Sequence, residues 1–179
     1  MNRDSDTALE IIDAEKILVS DGDIRRVAEI MINPEIMKLD VDYRHHSDNL
    51  ETMFQRLRDF FERVSAEENQ LCLLAKSDGK LVGFLGIHRF SEPKSHVGDV
   101  GIMVHPDHQQ KGIGTKLLKA GIKLARERDF KRLEADTLAE NRAMRRTAEK
   151  AGFQLEGIRR SEIDMYGQLK DEALYALLL

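Results

Sequence analysis

Residues 104–121 read VHPDHQQKGIGTKLLKAG, and this stretch decides the fold. A strand-like apolar run ends at Val104, a polar loop with two glycines follows, and an amphipathic helix begins near Gly114. Glycine lets a loop turn tightly and approach a ligand, and the first N–H groups of a helix point beyond its end. A loop of this kind, placed between a strand and a helix, is suited to hold a phosphate group.

Two well-known phosphate-binding loops do not match this stretch. A P-loop has four residues between its glycines, followed by Gly-Lys-Ser/Thr, whereas one residue separates Gly112 from Gly114 here. A Rossmann fingerprint needs a third glycine, where this chain has Leu117, and a parallel βαβ unit, which the preceding hairpins do not supply. Taken alone, the glycine pair is also compatible with a plain tight turn.

Size and composition favour one globular domain. The chain has 179 residues, of which 41% are hydrophobic and 34% charged. No apolar run approaches the roughly 18 residues of a membrane span, and the N-terminus MNRDSDTALE has no features of a secretory signal. The single cysteine, Cys72, lies in the apolar run LCLLA, which predicts a buried, inert thiol and a cytoplasmic protein.

Charge is distributed unevenly along the chain. Residues 105–160 contain 14 Lys+Arg and 8 Asp+Glu, a net +6, and the remainder contains 14 and 24, a net −10. The glycine loop therefore lies in a basic segment of an acidic protein. This favours a local anionic ligand over a broad nucleic-acid surface, so we expect neither a nucleic-acid nor a membrane partner. For the helix alone, a solvated lysine-rich face explains the same charges.

The pattern of elements predicts an α/β fold, with residues 1–10 as a flexible tail and residues 11–179 as a single domain. The order β-α-α-β-β-β-α-β-α-β-β describes a mixed, mostly antiparallel sheet flanked by helices. The first part predicts a strand EKILVS at 15–20, a helix capped by Ser20 or Asp21 and broken at Asn33-Pro34, and a helix 47–65 capped by Ser47 or Asp48. The middle predicts a hairpin turning at Ser77-Asp78-Gly79, a strand ending at Val104 and the helix after the loop. The last part predicts a strand KRLEADTL, a helix from Asn141 to Gly152, and two final strands around Tyr166-Gly167.

Two motifs in register strengthen the interpretation of the loop. Gln109, Gly112 and Gly114 fill the pattern Gln/Arg-x-x-Gly-x-Gly/Ala, and Asn141 stands eleven residues before Gly152 of a Gly-Phe pair. With these motifs and this element order, residues 15–179 resemble the GNAT superfamily of acyl-CoA-dependent N-acetyltransferases. The helix ending AEKAGF is similar to the branch that acetylates ribosomal-protein N-termini. The stretch 82–104 is similar to relatives that act on free amino acids or other small amines.

The resemblance implies acetyl-CoA as co-substrate and no metal. The strand Ile102-Met103-Val104 would bind the pantetheine arm in a gap between this strand and RLEADTL. Asn141 would cap its helix and touch the same arm, and Lys111 would add positive charge near the phosphates. The pyrophosphate would lie on the backbone amides of Gln109, Gln110, Lys111, Gly112, Ile113, Gly114 and Thr115.

The chemistry implied is attack of a primary amine on the thioester while both substrates are bound. It needs a base for the amine, donors for the oxyanion and an acid for the thiolate. The backbone N–H of Val104 is the candidate oxyanion donor. Asp136 is the first candidate base and Asp99 the second, and strand alternation puts Glu134 on the same face as Asp136. For each carboxylate, an ordinary surface position is the alternative.

The general acid is left unassigned. Many relatives carry a tyrosine where this chain has Ala148, with Thr147 beside it in place of an apolar residue. Tyr166 and Tyr175 are candidate substitutes, and water is another. An acyl-CoA sensor without turnover is therefore an alternative function, and a nucleotide-binding module is a third. The histidines show no spacing typical of a metal site.

The acceptor is not fixed by these patterns. A small-molecule amine, an amino acid and a protein N-terminus all remain open, and the acidic remainder of the chain favours a cationic acceptor. A homodimer is compatible with the sequence.

Overall fold

The computed structural model describes residues 8–41, 49–64 and 69–179. The strands are β1 Leu9–Asp13, β2 Gln70–Ser77, β3 Lys80–Arg89, β4 Val97–Val104, β5 Arg132–Leu138, β6 Gln154–Met165 and β7 Gln168–Leu178. The helices are α1 Asp21–Met31, α2 Pro34–Met37, α3 Leu50–Val64, α4 Ile113–Glu127 and α5 Arg142–Ala151, with 3-10 turns at Ala14–Lys16 and Pro106–His108. In this part of the chain, no helix is both long and apolar enough to cross a membrane.

The strands form one sheet in the order β1-β2-β3-β4-β5-β7-β6. Every neighbouring pair in this sheet is antiparallel except β4 and β5, which run parallel. The prediction of a mixed, mostly antiparallel sheet is confirmed. The one parallel pair lies in the middle of the sheet, and α4 connects its two strands.

Alternation along the strands builds a core on each face of the sheet. One core packs α4 and α5 on residues such as Leu85, Ile87 and Leu133. The other packs α1 and α3 on residues that include Cys72 and Leu74. Cys72 is 2% exposed, and burial raises the pKa of its thiol to about 12, in agreement with the inert thiol predicted.

The first strand lies earlier than predicted. EKILVS at 15–20 is not a strand, because the Asp13 carboxylate accepts a hydrogen bond from the N–H of Glu15 at 3.1 Å and starts a 3-10 turn there. Leu18 is 98% exposed. In β1, by contrast, Leu9 and Ile11 alternate onto the core of α4 and α5. The strand begins two residues before the predicted domain start at residue 11 and includes Glu10 of the predicted tail.

The helix and turn signals are mostly confirmed. Ser20 caps α1, and Asp78 and Gly79 form the β2–β3 turn with φ of 50° and 73°. Pro34 ends the first helix as predicted but also begins α2, a single turn that the predicted order lacks. Asn49 accepts from the N–H groups at the start of α3, and the predicted caps Ser47 and Asp48 lie outside the described residues.

Candidate active site

The parallel strands β4 and β5 separate after three residue pairs. They pair from Val97 with Arg132 to Asp99 with Glu134, and beyond these residues the two described strands no longer pair with each other. On its other side, β4 stays paired with β3 as far as Val104. A gap between β4 and β5 therefore opens in the middle of the sheet, beyond Asp99 and Glu134. This is the gap that the family resemblance implies.

The hydrogen-bond pattern shows which backbone groups face the gap. The N–H of Phe90 donates to the carbonyl of Val97 at 3.1 Å, and the N–H of His105 donates to the carbonyl of Val82 at 2.8 Å. In an antiparallel pair such bonding residues alternate with residues that point away. Odd-numbered residues of β4 therefore bond to β3. The even-numbered Ile102 and Val104 direct their N–H and C=O groups toward the gap.

The glycine loop closes the Val104 end of this gap. Gln110 and Gly112 have φ of 59° and 78°, so the chain turns twice through the left-handed region before α4 begins at Ile113. Gly112 occupies the N-cap of α4, and no described side chain caps this helix end. The first N–H groups of α4 thus point out of the helix, where an anion is stabilised by the helix dipole.

The glycine at position 114 allows three elements to meet. A Cβ at Gly114 would lie 3.3 Å from the methyl group of Thr147 on α5. It would also lie 3.7 Å from Ile102 and 3.9 Å from Val104. The first turn of α4, the gap-facing strand β4 and α5 therefore meet at one place, and three of the residues predicted to bind the coenzyme come together there.

Two side chains of the loop bind backbone carbonyls. The Gln109 amide donates to the carbonyl of Val104 at 3.0 Å, and the Lys111 ammonium donates to the carbonyl of Asp107 at 2.9 Å. The sequence motif pointed to Gln109 but not to this bond. The carbonyl of Val104 can be recognised as the partner of Gln109 only once Val104 is known to face the gap.

Asn141 caps α5 as predicted. Its side-chain oxygen accepts from the N–H of Met144 at 3.1 Å, and its amide donates to the hydroxyl of Thr137 at 3.1 Å. Gly152 ends the helix with φ of 104°. The asparagine therefore ties the start of α5 to the end of β5, beside the gap.

Carboxylates lie on the face of the sheet that carries α1 and α3. Asp99 and Glu134 are the last paired residues before the strands separate, and alternation puts Asp136 on the same face of β5. Glu134 accepts from Arg132 at 2.8 Å, and Arg132 also binds Glu156, which raises the pKa of the guanidinium. Glu134 is thus held in an ion pair. Asp99, half-buried, and Asp136, exposed, lie on the two strands that border the gap.

The structure does not identify Tyr166 or Tyr175 as the missing general acid. Ala148 is 1% exposed and packs in the core beneath α5. The Tyr175 hydroxyl accepts from Arg145 at 3.0 Å and donates to Glu149 at 2.9 Å, so it joins β7 to α5. Tyr166 is 66% exposed in the turn between β6 and β7. The described residues include no group of three or more metal-binding side chains.

Comparison with known proteins agrees with this geometry. The family model described as "Acetyltransferase (GNAT) family" matches residues 33–153. The chain is 27% identical over 172 residues to the Bacillus subtilis (strain 168) protein named "Probable N-acetyltransferase YjcK", covering 95% of this chain and 91% of that protein.

Solved structures share the fold. A ribosomal-protein-alanine N-acetyltransferase from Brucella melitensis superposes with a TM-score of 0.77 at 20% identity, over 95% of this chain and 99% of that one. YncA from Salmonella typhimurium, solved with its cofactor acetyl-CoA, gives 0.76 at 21% identity, over 96% and 94%. The chain belongs to the acetyltransferase (GNAT) family, whose members take the acetyl group from acetyl-CoA.

Proposed function

We propose that this enzyme transfers the acetyl group of acetyl-CoA to a primary amine by direct attack, with both substrates bound at the β4–β5 gap. The observation that carries the proposal is the gap itself, which runs beside backbone groups of β4 that β5 does not pair and ends at the uncapped start of α4. An extended amide-containing arm fits the first feature, and a diphosphate fits the second.

These two features support one position for the coenzyme. Its diphosphate binds the backbone amides of residues 109–115, and the arm extends along β4 from Val104 toward Asp99. Gln109 already binds the carbonyl of Val104, so the arm bonds to the N–H of Val104 and to the carbonyl of Ile102. Asn141, at the start of α5, borders the arm from the other side.

This placement moves the predicted oxyanion site. Val104 lies next to the loop, and each strand residue covers only about 3.3 Å, so an extended arm passes several residues before its sulfur. The thioester then lies nearer the point where β4 and β5 separate, and the gap-facing N–H of Ile102 is the donor beside it. Val104 becomes a residue that binds the arm, and the oxyanion donor moves toward the point where β4 and β5 separate.

The amine approaches from the face opposite α4 and α5. Asp99 on β4 and Asp136 on β5 lie on that face, beside the gap. Each is a candidate for the one base that deprotonates the ammonium form of the acceptor. Glu134 lies on the same face of β5 and accepts a hydrogen bond from Arg132.

Direct attack is favoured by the state of the cysteine. A mechanism through an acetyl-cysteine intermediate needs a reactive thiol, and the chain has a single one, Cys72. That thiol is buried in the core with a pKa raised to about 12. It can neither ionise near neutral pH nor reach the gap. A complex holding both substrates avoids the need for it.

The acceptor is a primary amine on a small molecule, an amino acid or a protein N-terminus. Carboxylates on the acceptor side favour one with a positive charge besides the reacting nitrogen. A second candidate, an acyl-CoA sensor without turnover, is favoured by one observation: Ala148 is buried where a proton donor is expected.

A thiol-release assay over four acceptor classes tests the proposal: polyamines, free amino acids, aminoglycosides and N-terminal peptides. Release above the hydrolysis background, with a mass increase of one acetyl group on the amine, supports transfer. Calorimetric binding of acetyl-CoA without release for any class supports the sensor. Protection of the fold by ATP as strong as that by coenzyme A would point to a nucleotide-binding module instead.

A further inference from the structure

One imidazole organises the turn that precedes the glycine loop. His105 follows the last residue of β4, and its side chain is 14% exposed. Its Nδ1 accepts a hydrogen bond from the N–H of Asp107 at 3.3 Å, which makes His105 the N-cap of the 3-10 turn Pro106–His108. Acceptance of this bond requires a neutral ring with its proton on Nε2, whereas a protonated Nδ1 would lose the bond and face the Asp107 carboxylate 3.7 Å away.

The turn is connected to the loop by further hydrogen bonds. The N–H of His108 donates to the carbonyl of His105 at 2.9 Å, and the N–H of Gln109 donates to the carbonyl of Pro106 at 3.1 Å. The turn's carbonyl at Asp107 accepts from Lys111. The position of residues 109–111, on the approach to Gly112, therefore depends on the turn that His105 caps.

We propose that His105 is a positioning residue for the coenzyme: its neutral imidazole holds the glycine loop in the conformation that binds the diphosphate, and protonation releases the loop. This inference rests on the coenzyme site proposed above. His105 acts through the N–H of Asp107 and the turn, with no contact to the phosphates.

The surroundings of His105 keep it neutral. Arg26 and Glu29 face it from α1, and Asp107 and His108 face it from its own turn, with the two imidazole rings 6.0 Å apart. Burial, and then the charge of Arg26, lower the pKa of His105 below its ordinary value of about 6.5. The cap is therefore intact at neutral pH and is lost as the pH falls through the lowered pKa of His105.

The sign of the pH dependence separates this role from a simpler one. If His105 acts through the cap, coenzyme affinity falls on acidification. A histidine that bound the diphosphate directly would gain a positive charge on acidification and would bind the anion more tightly.

The test is the affinity for coenzyme A, measured by calorimetry from about pH 5 to about pH 8, across the range where histidine titrates. His105→Asn puts an oxygen where Nδ1 lies, so it caps without titrating. His105→Ala removes the cap, and His108→Asn removes the neighbouring imidazole. Titration of the coenzyme's own phosphates is common to all four proteins and cancels in their comparison.

We expect the wild type to lose affinity relative to His105→Asn as the pH falls, by roughly fivefold, the size of one lost cap. His105→Ala binds more weakly throughout by a similar factor, and His108→Asn keeps the wild-type profile. Identical profiles for wild type and His105→Asn, or tighter wild-type binding in acid, overturn the inference. The comparison of wild type with His105→Asn tests the inference even if the alanine variant does not fold. If the wild type binds no coenzyme at neutral pH, the proposed function itself fails, and the inference fails with it.

Discussion

The side-chain amide of Gln109 donates a hydrogen bond to the carbonyl oxygen of Val104 at 3.0 Å. This bond joins the motif loop to the last residue of the strand that borders the gap. It satisfies the terminal gap-facing carbonyl of β4 and fixes where the loop begins. The loop is thus positioned before any ligand arrives, and preorganisation of this kind increases affinity.

Replacing Gln109 should therefore weaken acetyl-CoA binding. We expect Gln109→Ala to lose about tenfold in affinity, the order of one hydrogen bond plus an unsatisfied carbonyl. Gln109→Glu should lose more, because a carboxylate cannot donate to Val104 and repels the diphosphate. Calorimetry measures both, with Gln55→Ala on the surface of α3 as the control. Equal affinities for all three variants would show that the bond does not matter for binding.

Gly112 is expected to be necessary for its backbone conformation and for the space beside it. Its φ is 78°, and outside the adjacent residues no described atom lies within 4 Å of the position of a Cβ. Gly112→Ala should cost about 1 kcal/mol of stability through the left-handed backbone alone. Gly112→Glu should abolish the rise in Tm that acetyl-CoA produces in the wild type, since it puts a side chain and a negative charge at the diphosphate site.

Gly157→Ala is the matched control for both glycine variants. Its Cβ would also meet open space, but its φ is not in the left-handed region and it lies on β6, away from the gap. It should keep the full thermal shift. A folded Gly112→Glu protein with an unchanged shift would contradict the placement of the diphosphate.

The contact between Gly114 and Thr147 predicts coupling between α4 and α5. Gly114→Ala puts a Cβ 3.3 Å from the Thr147 methyl group, and Thr147→Ala removes that methyl group. We expect Gly114→Ala to be less harmful in the Thr147→Ala background, with a coupling of about 1 kcal/mol in a double-mutant cycle of unfolding free energies. Additive effects of the two substitutions would mean that the helices adjust without strain.

The base is identified by comparing Asp136→Asn with Asp99→Asn. The variant of the true base should lose on the order of 10²-fold in kcat with little change in acetyl-CoA affinity, because the amide keeps the shape but takes no proton. The deficit should shrink at high pH, where more of the free acceptor is neutral. A loss of coenzyme binding instead assigns the residue a structural role, and Glu134→Gln provides the comparison for a carboxylate held by Arg132.

Local patterns predicted most of the fold. The buried face of α4, with Leu117, Leu118 and Leu124, follows from helical spacing, and Gly152 marks the end of α5 by its conformation. The first strand was misplaced because LEIID and EKILVS are equally short and apolar. Only pairing with β2, more than 50 residues away, decides between them.

The site was predicted less completely, because it also depends on pairing between residues that are distant in the sequence. The motif identified Gln109, Gly112 and Asn141, but the bond from Gln109 to Val104 depends on which β4 residues bond to β3. That parity comes from the register of the hairpin. The engagement of Tyr175 by Arg145 and Glu149 likewise depends on contacts between α5 and β7 that no spacing shows.

Acetyl-CoA is proposed to lie along the gap-facing edge of β4. Amide hydrogen exchange, followed residue by residue by NMR with and without acetyl-CoA, tests it most directly. We predict that the coenzyme slows exchange at Ile102 and Val104, whose N–H groups face the gap, while Gly101 and Met103, already bonded to β3, change little. Bound coenzyme that leaves Ile102 and Val104 as exchangeable as before would contradict the account.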